Sequence, residues 1–287
     1  LSRRIVLVLV DGDALTHYVS GSLYLHKLVV IGTVEQKRVM GSRRPSGELL
    51  DLISQHIPIA NLSPYETRAP VTGSRFFGRE YEISRVLSNP DTNHAILGIR
   101  RIGKTSLLRE IERILVENHD PARVVYLECS DLLSSVDYIR EVVRKLNPRE
   151  LPRLHMQKYV FFVPDFLERM SRAHKGKLIF LLDEIDNLVI VQRGDWDLIR
   201  MLRASANKGA CQYIMAGFRE AMREQYLLDS PFYNFAQEIR LSEFTRRQAD
   251  DLILTPMENL RVKIKQKDEV VGRIYEETAG QPNLIQY

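Results

Sequence analysis

Residues 98–106 read Gly-Ile-Arg-Arg-Ile-Gly-Lys-Thr-Ser and fit the pattern G-x-x-x-x-G-K-[ST] without a mismatch. Glycines at these positions let the backbone curl so that its N–H groups point at phosphate oxygens, and a following helix adds its positive N-terminal end. In such a loop Lys104 reaches the β- and γ-phosphates of a nucleotide, and the Thr105 hydroxyl ligates Mg²⁺. The stretch therefore predicts a phosphate-binding loop.

The residues on both sides of this loop favour that interpretation over a surface glycine turn with a solvated lysine. Residues 94–97 (HAIL) predict a short strand that leads into the loop. After the loop, apolar side chains recur at helical spacing and predict an amphipathic helix, through Leu107, Leu108, Ile111, Ile114 and Leu115. A strand before the loop and a helix after it are what the phosphate-binding mechanism requires.

A second predicted strand ends in two acidic residues. Residues 178–182 (LIFLL) read as a strand buried on both faces, and Asp183 and Glu184 follow directly. Because ligands bind at the carboxyl ends of strands in open α/β sheets, we expect Asp183 to hold the Mg²⁺ shell. Glu184 is expected to orient and deprotonate the attacking water. A solvated acidic turn is the alternative for this pair taken alone. For Asp186 we expect a helix N-cap or a solvated side chain in preference to a supporting acid of the site.

A third apolar strand runs into Gly217 and Arg219, within residues 214–219 (IMAGFR). In a sheet whose added strand lies between the two phosphate-motif strands, the end of this strand projects beside the γ-phosphate. A bidentate guanidinium there distinguishes a triphosphate from a diphosphate. We therefore name Arg219 as a candidate sensor, and Glu184, Lys104 and Arg219 as the candidate catalytic residues. The alternative for Arg219 is a surface position at a strand end.

From residue 76 onward strands and helices alternate, which predicts an α/β fold: a P-loop NTPase with a parallel sheet and helices on both faces. The additional strand is expected between the two phosphate-motif strands. Further strands are predicted at 124–128 and 237–241, and helices at 134–146, 156–174 and 195–206. After residue 243 the pattern becomes purely helical, with helices predicted at 245–260 and 267–279.

The 287-residue chain is divided accordingly. Residues 76–242 are the predicted P-loop core and residues 243–287 a helical region, which the resemblance described below implies to be an ATPase core and a helical lid. Residues 58–75 contain three prolines, a glycine and several small polar residues, which is the composition of a linker. Residues 1–57 form a partial α/β segment whose identity the sequence does not reveal, with strands predicted at 5–10 and 28–34 and a helix at 47–56.

Together the motifs resemble those of the signal-transduction ATPases with numerous domains (the STAND class) and the similar archaeal-type ATPases, both related to AAA+ proteins. The resemblance rests on Phe-Phe-Gly-Arg-Glu at 76–80, the loop at 98–106, Leu-Leu-Asp-Glu at 181–184 and Thr-Ala-Gly-Gln-Pro at 278–282. It covers residues 76–287. It implies a slow, Mg²⁺-dependent ATPase that acts as a signalling switch.

The resemblance also implies roles for individual residues. Gly78 and Arg79 would lie near the adenine and ribose, and Pro282 would touch the base from the lid. The cofactors implied are ATP and Mg²⁺, with Thr105 and Asp183 on the metal. The implied cofactor-binding residues are Gly78, Arg79, Gly98, Arg101, Ile102, Gly103, Lys104, Thr105, Ser106 and Pro282.

The resemblance also implies how the chain ends and which partners it binds. Proteins of this kind usually continue beyond the lid into a winged-helix domain, so we expect the lid, which ends at Tyr287, to be truncated. Many of them assemble on activation and pass the signal to an effector. Besides ATP and ADP, we therefore expect self-association or a fused or bound effector.

Charge and composition bear on nucleic-acid binding, membrane insertion and cellular compartment. The net charge is +4, and residues 1–75 hold 9 Lys and Arg against 6 Asp and Glu, so nucleic-acid binding is only weakly supported. The longest apolar run is too short for a bilayer span, and two cysteines cannot form a disulfide framework. We expect a cytoplasmic protein without a membrane partner. A DNA-binding ATPase of the origin-loader type and a nucleotide-locked scaffold with little turnover remain as alternative functions.

Overall fold

The computed structural model describes residues 6–11, 28–57, 64–118, 121–156, 159–192 and 195–287. The chain divides into a smaller unit, residues 1–65 with 257–263, and a larger unit, residues 66–256 with 264–287. The predicted linker is divided by this boundary: residues 58–63 lie outside the described residues, whereas residues 66–75 belong to the larger unit.

The larger unit contains five strands joined by helices. The strands are β3 (His94–Leu97), β4 (Val124–Glu128), β5 (Leu178–Asp183), β6 (Cys211–Gly217) and β7 (Gln237–Arg240). The helices up to β7 are α3 (Glu80–Leu87), α4 (Lys104–Asn118), α5 (Ser135–Leu146), α6 (Leu151–Met156), α7 (Tyr159–Ala173), α8 (Ile185–Val191), α9 (Asp197–Asn207) and α10 (Arg219–Tyr226). Short 3₁₀ turns lie at Gly73–Arg75, Pro121–Arg123 and Pro148–Glu150.

All five strands pair in parallel, in the order β4-β5-β6-β3-β7. Every residue of β3, β5 and β6 is buried, as expected for central strands covered by helices on both faces. Strand β6 lies between β3 and β5, the strands that carry the two phosphate motifs. The predicted α/β class, parallel sheet and inserted strand are therefore confirmed.

Alternating strand residues build a separate apolar core on each face of the sheet. Phe180 and its neighbours on one face pack with side chains of α5, α7 and α9. Ile179 and Leu181 on the other face pack with α4, the helix that follows the glycine-rich loop. Phe166 of α7 is fully buried. The sheet is thus fixed from both sides, and the loop between β3 and α4 is held at its carboxyl edge.

The C-terminal region is helical, as the sequence predicts. Helices α11 (Arg246–Asn259) and α12 (Lys267–Thr278) agree closely with the predicted bounds, and a short third helix, α13 (Pro282–Ile285), follows them. The apolar side chains of Leu252, Ile253 and Val271 form part of a core of their own. Among the described residues, no helix has both the length and the apolar character that crossing a bilayer requires.

The smaller unit contains a parallel strand pair, β1 (Val6–Leu9) and β2 (Leu28–Ile31), followed by α1 (Thr33–Gly41) and α2 (Pro45–His56). The strand predicted to reach residue 34 ends at Ile31, because Gly32 is the N-cap of α1. The β-branched side chains of Thr33 and Val34 favoured a strand locally, but both residues are helical. Ile5, the first residue of the other predicted strand, lies outside the described residues.

Candidate nucleotide-binding site

The glycine-rich loop joins β3 to α4 through two residues in the left-handed region, Arg101 (φ 64°) and Gly103 (φ 102°). A side chain at Gly98 would place its Cβ 2.9 Å from Ile102 Cγ2 and 3.1 Å from the carbonyl oxygen of Leu241. Gly98 is therefore required by close packing, whereas Gly103 is required by its backbone conformation, since nothing lies within 4 Å of a Cβ there.

Lys104 is the first residue of α4, and its side chain is buried against the loop. Its Nζ donates hydrogen bonds to the carbonyl oxygens of Gly98 (3.0 Å) and Ile99 (3.1 Å). Burial lowers the pKa of Lys104, and the negative charges of Glu184 and Asp183 oppose that effect. The ammonium group thus lies between the loop and the acidic strand end, where an anionic ligand would compensate its desolvation.

Asp183 and Glu184 have different surroundings at the end of β5. Asp183 has no exposed surface, and its Oδ2 accepts a hydrogen bond of 2.8 Å from the Tyr126 hydroxyl. Its Oδ1 accepts the backbone N–H of Glu184 at 3.0 Å. Glu184 is exposed and has a left-handed backbone (φ 51°) at the N-cap of α8. Asp183 is therefore held rigidly, whereas the Glu184 side chain is accessible.

A third carboxylate, which the sequence did not single out, lies beside this pair. Glu128 ends β4 and is in register with Asp183 on β5. Its pKa is raised by desolvation of the carboxyl and by the negative charges of Asp183 and Glu184. The signal in the sequence was an acid at the end of a predicted strand, but the sequence did not show that β4 and β5 are neighbours.

Arg219 begins α10 and is exposed, with its guanidinium 5.4 Å from the centre of the Phe218 ring. The carboxylate of Asp186 accepts the backbone N–H groups of Phe218 (2.6 Å), Glu220 (2.7 Å) and Ala221 (3.1 Å). Asp186 therefore does cap a helix, but that helix is α10 rather than its own.

Arg79 is buried and connects the loop to the strand edge. Its Nη2 donates to the carbonyl oxygens of Ser242 (2.5 Å) and Ile102 (3.4 Å). The guanidinium also lies 4.7 Å from the centre of the Phe244 ring, and burial lowers its pKa. Gly78, the preceding residue, is also buried, and its carbonyl oxygen accepts a hydrogen bond from the Gln248 side chain at 2.7 Å.

Residues 66–73, which we call the strap, also contribute to the site, although the sequence predicts a linker there. The strap donates backbone N–H groups to α4, from Val71 to Ser106 Oγ (3.2 Å) and from Gly73 to Glu110 Oε2 (2.7 Å). At its other end the carbonyl oxygen of Thr67 accepts a hydrogen bond from Asn283 Nδ2 of α13 at 3.2 Å. The strap therefore connects α4, the helix that follows the glycine-rich loop, with the C-terminal helix α13.

These elements enclose a cavity of about 810 Å³. Of the predicted site residues, ten line it: Arg79, Arg101, Ile102, Gly103, Lys104, Thr105, Ser106, Glu184, Arg219 and Pro282. The lining also includes strap residues from Glu66 to Val71, and Glu128 and Asp186. Gly98 lies beneath the loop, and Asp183 lies at the base of the acidic strand end.

The acidic side of the cavity suits a magnesium ion. In the described part of the chain no group of three or more His, Cys, Asp or Glu side chains is arranged to hold a metal. Mg²⁺ is, however, commonly held by one or two protein oxygens together with phosphates and water. Desolvation and the negative charges of Asp183 and Glu184 raise the pKa of Glu128, and a cation at this edge would offset that effect. The Thr105 hydroxyl and the Asp183 carboxylate are oxygen ligands of the required kind.

Comparison with known proteins agrees with this architecture. Residues 89–223 match the family described as the AAA domain. The larger part of the chain also resembles solved structures, at low sequence identity. A search of curated proteins found no match to the chain.

Two of these structures illustrate the likeness. The Walker-type ATPase PABY2304 of Pyrococcus abyssi is 18% identical with a TM-score of 0.56, over 77% of this chain and 69% of that one. The Aeropyrum pernix ORC2 protein is 14% identical with a TM-score of 0.57, over 78% of this chain and 62% of that one, so less than two thirds of ORC2 is spanned. The chain has the fold of an AAA-type P-loop ATPase.

Proposed function

We propose that this chain binds ATP with Mg²⁺ and hydrolyses it slowly, as a conformational switch of the STAND or AAA+ kind. The observation that carries the proposal is the convergence of Lys104, Glu184 and Arg219 on one cavity of about 810 Å³. The three residues lie on segments that follow three different strands, β3, β5 and β6, which are adjacent in the sheet. The ammonium of Lys104 and the guanidinium of Arg219 complement the negative charges of a triphosphate. The exposed carboxylate of Glu184 is suited to act on the water that attacks it.

The roles follow from the surroundings of each residue. The loop N–H groups and Lys104 bind phosphate oxygens, and Glu184, the exposed acid, orients and deprotonates water. Thr105 and Asp183 would hold Mg²⁺, which neutralises charge on the phosphates when bound. Arg219 would contact the γ-phosphate and so distinguish ATP from ADP. Gly98, Arg101, Ile102, Gly103 and Ser106 complete the loop around the phosphates.

The part of the cavity lined by Pro282, Arg79 and the strap would receive the base and ribose. Gly78 directly precedes Arg79 and is held by Gln248. Because the strap contacts both α4 and the lid, a change at the phosphates has a direct structural route to α13. That connection supports a switch in which nucleotide state sets the position of the lid.

Partners and location are part of the same proposal. We infer a second copy of this chain or an effector protein as the recipient of the signal. Both cysteines are buried free thiols, which suits a reducing compartment such as the cytoplasm. The similarity to ORC2 supports the origin-loader alternative, for which the discriminating measurement is duplex DNA binding at low and moderate salt.

The test is nucleotide affinity and phosphate release in matched variants of the purified protein. Lys104→Ala should weaken binding of a fluorescent ATP analogue about 10- to 100-fold, since hydrogen bonds to charged groups contribute about 1.5–3 kcal/mol. Lys145→Ala, which removes an exposed lysine of α5, is the control. Wild-type protein that binds no analogue, or unchanged affinity in Lys104→Ala, contradicts the proposal.

Glu184→Gln separates binding from hydrolysis. Its affinity for ATP should remain near wild type, while phosphate release falls by about 10²–10⁴-fold, the usual contribution of a general base. Glu269→Gln, on an exposed position of α12, should change neither. Bound nucleotide with negligible turnover in the wild type would instead support the nucleotide-locked scaffold.

A further inference from the structure

The Asp186 carboxylate binds the backbone of a segment far from it in the sequence. Its Oδ2 accepts the N–H of Phe218 at 2.6 Å, and its Oδ1 accepts the N–H groups of Glu220 (2.7 Å) and Ala221 (3.1 Å). These donors surround Arg219, the first residue of α10. Because the first N–H groups of a helix have no partner within it, the carboxylate fixes both the position and the direction of this helix start.

Asp186 also lies close in the chain to Glu184, the proposed general base. Asp186 lies in the first turn of α8, two residues after Glu184, whose left-handed backbone begins that helix. Gly217, which precedes the capped segment, has no room for a side chain: a Cβ there would lie 2.6 Å from Ile185 Cγ2 and 3.0 Å from Asp186 Oδ2. The segment that carries Glu184 and the segment that carries Arg219 are therefore in direct contact.

We propose that Asp186 is the positioning residue that holds the Arg219 guanidinium in register with the Glu184 carboxylate, so that recognition of the γ-phosphate and hydrolysis occur as one unit. The inference rests on the proposed function and adds a residue to it. Asp186 acts through the backbone, because its oxygens accept three N–H groups. A change at Asp186 should therefore affect hydrolysis only while Arg219 is present.

The experiment is a double-mutant cycle on ATP turnover, with Asp186→Asn, Arg219→Ala and the double variant. Asn keeps one acceptor oxygen and removes the carboxylate charge. In the wild-type background Asp186→Asn should lower kcat by about 10- to 100-fold, as small displacements of catalytic groups do, with KM for ATP near wild type. In the Arg219→Ala background it should have no further effect.

Ser134→Ala is the matched control for lost capping. Ser134 caps α5 by accepting the Asp137 N–H at 3.1 Å, and its variant should lower the melting temperature without changing kcat. Should Asp186→Asn not fold, the same cycle is run with Asp186→Ser, since serine also caps helix N-termini.

Two results overturn the inference. One is an equal fractional loss of kcat from Asp186→Asn in both backgrounds, and the other is an Arg219→Ala variant with wild-type turnover. The first result leaves the proposed function untouched, and the second removes only Arg219 from it. ATP binding and hydrolysis by this chain fail separately, if Lys104→Ala binds ATP normally or Glu184→Gln hydrolyses it normally.

Discussion

The Tyr126 hydroxyl donates a hydrogen bond of 2.8 Å to Oδ2 of Asp183 across the pair of strands β4 and β5. Both side chains are buried, and the Arg109 guanidinium lies 3.2 Å from the centre of the tyrosine ring. Burial and the charge of Asp183 raise the pKa of Tyr126, so the hydroxyl remains a donor at neutral pH. Since Oδ1 is held by the Glu184 N–H, both oxygens of Asp183 are oriented by the protein.

Tyr126→Phe should lower the free energy of unfolding by about 1.5–3 kcal/mol, because it removes a hydrogen bond to a buried charged group. Tyr213→Phe is the control: that hydroxyl bonds to Ser205 at 2.7 Å, and Ser205 keeps a second partner in the Leu202 carbonyl. The control should lose only about 0.5–1.5 kcal/mol, the usual value for a neutral pair. Urea denaturation measures both, and equal losses would show that the Asp183 bond has no special strength.

The glycines of the phosphate loop should differ in how they respond to a side chain. Gly98→Ala forces a Cβ against Ile102 and the Leu241 carbonyl, and should lower the free energy of unfolding by about 1–3 kcal/mol through overpacking. Gly103→Ala meets no atom, but imposes left-handed strain of about 1–3 kcal/mol. Both should also weaken ATP binding.

Gly272→Ala is the control for these two variants. Gly272 lies inside α12, where the nearest atom to a Cβ is Arg246 Nη1 at 3.6 Å. Alanine there should stabilise the protein by about 0.5–1 kcal/mol, because glycine weakens a helix interior. Thermal unfolding of the three variants gives the comparison, and a Gly103→Ala protein as stable as Gly272→Ala would contradict the strain argument.

The fold was predictable because its signals are local. The loop at 98–106, the apolar run before Asp183 and the strand before Arg219 each lie in one short stretch, and alternation of strands and helices then implies a parallel sheet. The missed helix α1 shows the limit of local reasoning. Its β-branched start favours a strand, and no residue of α1 is buried to give a helical apolar pattern.

The supporting contacts of the site were not predictable, because they join residues far apart in the chain. Tyr126 and Asp183 are 57 positions apart, and Asp186 and Phe218 are 32 apart. Glu128 lies beside Asp183 because β4 and β5 are neighbours in the sheet. The sequence of a strand does not indicate which strand it pairs with. The strap has the composition of a linker, and its role depends on hydrogen bonds from its backbone, which composition does not encode.

Arg79→Ala should lower the free energy of unfolding by about 3 kcal/mol, since the carbonyl oxygens of Ser242 and Ile102 each lose a charged donor worth about 1.5 kcal/mol. Arg273→Ala is the control, because the Arg273 side chain is exposed and forms its ion pair with Glu277 on the same helix. Its effect should be much smaller. Urea denaturation compares them, and similar midpoints for the two variants would show that the buried guanidinium is not a structural link.

His94, at the start of β3, should make stability depend on pH below neutrality. Its side chain has no exposed surface, and burial together with the positive charge of Arg85 lowers its pKa to about 4. In the unfolded chain the pKa is about 6.5, so between these values the unfolded state binds a proton that the folded state does not. This contribution is complete above about pH 6.5 and is lost as the pH falls towards 4, by up to about 3 kcal/mol at 1.4 kcal/mol per pKa unit.

His94→Leu removes this titration, so the free energy of unfolding of the variant should fall less than that of wild type between pH 7 and pH 4.5. His56→Gln, which changes an exposed histidine of α2, should keep the wild-type dependence. Urea denaturation at both pH values measures the difference. Parallel pH profiles for wild type and His94→Leu would mean that His94 takes up its proton equally in both states, which its burial among apolar strand residues opposes.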